Sequence, residues 1–164
     1  DLQVPASETM PRELPPSEEP QSLRIPRLNI DTKIQQTGLN AKGDMGVPTN
    51  YTDVAWYKHG TIPGQIGSAV IDGHVDNGLG LAGVFNNLKK LRKGDDVYLI
   101  TKTGRELHFF VEEAVSYTYK SVPLEKLFTR EDDARLNLIT CGGNWIKAEK
   151  TYDARFVVYT RLAN

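Results

Sequence analysis

The chain has 164 residues, 20 lysines and arginines against 21 aspartates and glutamates, a net charge of −1 and one cysteine. This balance gives no electrostatic basis for a nucleic-acid partner, and one cysteine excludes an internal disulfide and every multi-cysteine zinc site. No apolar run approaches the roughly 20 residues of a membrane span, and the length suits one domain with a sizeable core.

Residues 1–22 hold five of the nine prolines and five acidic residues against Arg12. Such a composition predicts an extended linker or stalk. It contains no aromatic residue to plug a groove. The chain opens at Asp1 without an initiator methionine or a signal segment, as expected of a fragment or a processed form, which leaves room for a lost membrane anchor. The folded domain is expected over residues 23–164.

From Leu23 the pattern is mainly β. Leu23–Leu28 and Thr32–Gln36 read as short strands separated by Asn29 and Asp31, and Gly38, Gly43 and Gly46-Val47-Pro48 mark a long turn region. Ala55-Trp56-Tyr57 reads as a short strand. Gly67–Asp72, with small and branched residues, suits a strand covered on both faces. Val84, Phe85, Leu88 and Leu91 have the spacing of one helical face. Val97–Thr103 and Glu106–Tyr119 predict a hairpin about Thr103-Gly104-Arg105. Pro123–Phe128 predicts a helical turn with proline near its start. Leu136–Cys141 and Ala154–Leu162 are the closing strands. Seven or eight short strands with little helix indicate a closed barrel or a sandwich.

Three residues at strand ends carry chemistry. Cys141 ends Leu136-Asn137-Leu138-Ile139-Thr140-Cys141, His74 follows Gly73 just beyond the Gly67–Asp72 run, and Arg155 lies near the start of the last strand. A free thiol is mostly protonated at neutral pH, and the thiolate is the nucleophile. An imidazole can remove the proton and later protonate a leaving amine. A guanidinium can stabilise the oxyanion of an attacked carbonyl. Asp72 and Asp76 are candidates to orient the histidine, since their even offset from it puts them on its side of a strand. Each residue also has a plain structural reading: a lone cysteine is more often a small buried hydrophobe, and a strand-edge arginine usually pairs with a carboxylate. His59 and His108 have no matching context. Trp145 is close enough to Cys141 to line a pocket.

Taken together, Gly73-His74 after an apolar strand, Leu138-Ile139-Thr140-Cys141, and Arg155 in the order His, Cys, Arg resemble the sortase family of cysteine transpeptidases of Gram-positive surfaces. Asn137 stands where the family's Thr-Leu-x-Thr-Cys signature has its first threonine. Gly73-His74-Val75-Asp76 and the run into Gly142-Gly143 look more like classes D, E or F, with E or F favoured. The resemblance covers roughly Leu23 to Leu162. It implies a closed eight-stranded β-barrel with a few short helices. It also implies attack by Cys141 on a Leu-Pro-x-Thr-Gly-like sorting signal, a thioacyl-enzyme, and transfer to an amine of a cell-wall peptide or a pilin lysine. His74 would be the acid/base, Arg155 the oxyanion or peptide anchor, and Thr140 a residue lining the substrate groove. No cofactor or metal is implied. The location implied is the outer face of the plasma membrane, with contact only through the missing N-terminal anchor. The segment Tyr117–Arg135 would contact the sorting signal, with Val122-Pro123-Leu124 and Leu127-Phe128 either forming an apolar wall or simply packing on the barrel.

Other readings fit less well. A cell-wall L,D-transpeptidase places a histidine or serine-glycine pair before its cysteine and an arginine two residues after, where this chain has Thr140 and Gly143. A papain-like protease has cysteine before histidine. A catalytically weak binding or assembly module on the same barrel is the non-enzymatic alternative.

Overall fold

The computed structural model describes residues 2–6 and 14–164. Eight strands, β1 (Pro20–Ile25), β2 (Ile30–Thr37), β3 (Val54–Tyr57), β4 (Gly67–Gly73), β5 (Asp96–Thr101), β6 (Glu106–Thr118), β7 (Ala134–Ile146) and β8 (Thr151–Leu162), close into a barrel. Its order is β1-β2-β3-β4-β7-β8-β6-β5, with β5 returning to β1. The β2–β3 and β4–β7 pairs are parallel and the others antiparallel. The barrel and not the sandwich is therefore formed, and closure removes the exposed sheet edges that a sandwich keeps.

Strand alternation divides the apolar residues between two faces. Leu23, Ile25, Val54, Trp56, Ala69, Ile71, Leu99, Phe109, Leu136, Leu138 and Val158 fill the interior. Tyr57, Val70, Ile139, Val157 and Tyr159, of opposite parity, form a second cluster with Leu127 and Phe128. These last two belong to helix α1 (Leu124–Phe128), which closes over β4. The β4–β7–β8 wall is thus covered on both faces, and all seven β4 residues are buried. This is the environment that its small and branched sequence predicts.

Some local expectations differ. The expected strand Leu23–Leu28 ends at Ile25, and Pro26–Leu28 form a 3₁₀ turn with proline at its start. Val84–Leu91 forms turns and one 3₁₀ segment, Leu88–Lys90, not an α-helix. Phe85, Leu88 and Leu91 are buried, and their spacing of three matches the 3₁₀ repeat. The glycines after Cys141 do not end the strand: β7 runs on to Ile146, with a bulge between Gly142 and Trp145. Gly143 has φ +77°, and a Cβ there would lie 2.0 Å from Asp153 Oδ1, so only glycine fits.

Part of the proline-rich N-terminal segment lies on the barrel. Leu2 and Val4 are buried in the second cluster with Met45. The Met45 N–H donates to Leu2 O at 2.9 Å. Residues 7–13, inside the expected linker, lie outside the described residues.

Candidate active site

The doubly covered wall also carries the chemistry. Cys141 has the parity of Ile139, and Arg155 that of Val157, so both side chains leave the sheet on its outer face. They are direct cross-strand partners on β7 and β8. Parallel pairing places Asp72 opposite Ile139, and His74 follows one residue after β4 ends. His74, Cys141 and Arg155 line one cavity of about 530 Å³, together with Met45, Pro48 and Trp145.

Arg155 and His74 are held by hydrogen bonds. Arg155 is 2% exposed. Its Nη1 donates to Tyr152 O and Ala154 O, both at 2.9 Å, and its Nη2 donates to Thr151 Oγ1 at 2.8 Å. His74 Nε2 lies 2.9 Å from Pro48 O. A carbonyl only accepts, so Nε2 carries the proton and Nδ1 is the basic nitrogen of the neutral ring. A backbone carbonyl, not a carboxylate, therefore orients the imidazole. Neither Asp72 nor Asp76 is in that position: Asp72 is buried with Oδ1 unpartnered, and Asp76 accepts from Tyr152 Oη and from Gly78 N.

Burial pushes the Cys141 thiol up; Arg155 pulls it down, and Asp72 and Asp76 push it up further. The thiol is therefore protonated at neutral pH until a base acts on it. Thr140, with the parity of Leu138, is 6% exposed, and its Oγ1 donates to Gly73 O at 2.7 Å. It borders the cavity, but its hydroxyl ties the middle of β7 to Gly73, the last residue of β4 before His74.

The segment after β6 splits between its two expected roles. Leu127 and Phe128 are fully buried against the barrel. Val122 and Leu124 line a second cavity of about 560 Å³, with Gln3, Tyr119, Lys120 and Arg155. Leu2 lines the cavity that holds His74 and Cys141. One aliphatic side chain of residues 1–22, Leu2, thus borders the groove where the sequence offered no aromatic plug. Sequence reasoning also missed Pro48, which acts through its carbonyl, and Tyr152, whose partner Asp76 is 76 residues away. Neither leaves a local signal. Among the described residues no cluster of His, Cys, Asp or Glu could hold a metal ion.

A family model described as the sortase domain matches residues 23–163. Among solved structures, a lid mutant of sortase A from Corynebacterium diphtheriae has TM-score 0.68 at 21% identity, covering 93% of this chain and 73% of that one. Sortase C-1 from Actinomyces oris has TM-score 0.68 at 21% identity, covering 87% and 73%. A sortase D5 transpeptidase from Clostridium perfringens has TM-score 0.65 at 19% identity, covering 93% and 83%. No curated protein matches the sequence.

Proposed function

The chain belongs to the sortase family of cysteine transpeptidases, and from that premise we propose that Cys141 is the nucleophile, His74 the acid/base and Arg155 the anchor of the oxyanion. The observation that carries this reading is the cross-strand pairing of Cys141 with Arg155 at a cavity that His74 also lines.

The proposed cycle begins with a peptide lying where Leu2 and Val4 now sit, against the apolar face of Met45, Ile139, Val122 and Leu124. Its Leu-Pro-x-Thr-Gly-like sequence supplies aliphatic side chains for that face. His74 takes the thiol proton, and Sγ attacks the threonine carbonyl carbon. Charge developing on the carbonyl oxygen faces Arg155, whose permanent cation also favours the thiolate. His74 then protonates the departing glycine nitrogen. The C–N bond breaks and a thioacyl-enzyme remains. An amine attacks it, forms the new amide and releases Sγ. The donor would be a sorting-signal protein, and the amine a cell-wall peptide or a pilin lysine. Family membership supports action at the surface of a Gram-positive cell.

The test is incubation with a fluorogenic Leu-Pro-x-Thr-Gly peptide, with and without a small amine, followed by mass spectrometry. A new amide at the threonine carbonyl, lost in Cys141→Ala with its melting temperature preserved, is expected. If a varied peptide panel gives no cleavage while Cys141 resists methanethiosulfonate, the reading is overturned in favour of a binding module.

A further inference from the structure

A third cavity, of about 210 Å³, also opens on Cys141. It shares Val75, Asp76, Thr140 and Tyr152 with the larger groove but extends away to Phe85, Asn86, Lys89, Gly142 and Gly143. The contact of Tyr152 Oη with Asp76 borders both spaces. Tyr152 is itself held edge-on by Trp145, ring centroids 5.2 Å apart. Asp76 is the one carboxylate among the residues lining this cleft.

We propose that this cleft is the entry site of the amine acceptor and that Asp76 binds its ammonium group; the inference rests on the thioacyl cycle proposed above. A thioacyl group leaves the donor peptide filling the apolar side of Cys141, so the acceptor must reach the carbonyl carbon from another side. The cleft is that second approach. A primary amine arrives as an ammonium ion, and a half-buried carboxylate attracts it and accepts its N–H groups. Asp76 retains acceptor capacity for this, because a carboxylate offers about four lone-pair sites and the structure gives it Tyr152 Oη and Gly78 N as donors. The ammonium loses one proton to solvent on moving toward the thioester. The neutral nitrogen then attacks: the C–N bond forms, the C–S bond breaks, the second proton passes to His74, and the electron pair leaves on Sγ.

The test is a competition for the thioacyl-enzyme between glycinamide, largely cationic at neutral pH, and hydroxylamine, which is uncharged there. Products are counted by mass spectrometry for wild type, Asp76→Asn and Asp76→Glu. Loss of one charge-assisted hydrogen bond predicts that Asp76→Asn lowers capture by the amine relative to hydroxylamine by roughly tenfold, and that Asp76→Glu restores most of it. An unchanged ratio in Asp76→Asn, or no recovery in Asp76→Glu, overturns the proposal. Absence of any thioacyl capture in wild type, even with hydroxylamine, instead removes the cycle on which the inference rests.

Discussion

Cys141 and Arg155 stand directly opposite each other on β7 and β8, one pair before Gly142 and Ala154, after which a bulge interrupts the register. The guanidinium is fixed by oxygens of its own strand and pulls the half-buried thiol toward its charged form. Removing it has a signed consequence. In Arg155→Ala the thiol pKa rises, so the pH profile of alkylation by a small methanethiosulfonate moves to higher pH. Peptide turnover falls by about 10²–10³-fold, the effect of losing one oxyanion donor. An unmoved alkylation profile would show that Arg155 acts on the substrate alone.

Thr140 ties β7 to the end of β4 through its hydrogen bond to Gly73 O. Thr140→Val keeps the shape and removes the donor in a buried site. A loss of about 1–2 kcal/mol in urea unfolding is expected, with a fall in kcat because His74 and Cys141 lose their mutual register. Thr140→Ser, which keeps the hydroxyl, should recover both.

Asp72 is buried beside the site with one oxygen unpartnered, and burial pushes its carboxyl well above the usual range. The native state therefore holds this proton at pH values where the unfolded chain has released it. Stability falls as pH rises from the ordinary carboxylate value, near ~3.9, through the raised native value. Asp72→Asn has nothing to ionise. It should exceed wild type by about 1–3 kcal/mol near pH ~8, the scale of an uncompensated buried polar group, and lose that margin below about pH 4. Urea melts at the two pH values measure the difference.

Leu2, at the edge of the groove, and Val4 pack beside Met45 in the second cluster, and the backbone of residues 2–4 is bonded to residues 43–45. Burial of such side chains contributes about 1.5–3 kcal/mol each, which a carboxylate at each position would reverse. The double variant Leu2→Glu, Val4→Glu should exchange the Met45 amide hydrogen faster, since that N–H is bonded to Leu2 O. The KM for a sorting-signal peptide should fall several-fold. Faster exchange with an unchanged KM would show that the segment lies on the barrel without competing with substrate.

Composition and periodicity alone determined that this chain is a small β-rich domain. Alternation along Leu136-Asn137-Leu138 or Val97-Tyr98-Leu99 is a local property, written in neighbouring residues. The residue types and order of His74, Cys141 and Arg155 were equally legible. Only the closed fold decided the rest. The parallel pairing of β4 with β7 brings Asp72 beside Ile139, across 67 positions of sequence. Sheet parity turns Thr140 inward to Gly73 while Cys141 faces outward. Pro48, Tyr152 and Leu2 reach the site through a carbonyl, a 76-residue contact and apolar burial. Such contacts depend on long-range register, and a short window of sequence carries local conformational preference but not the partner that barrel closure will supply.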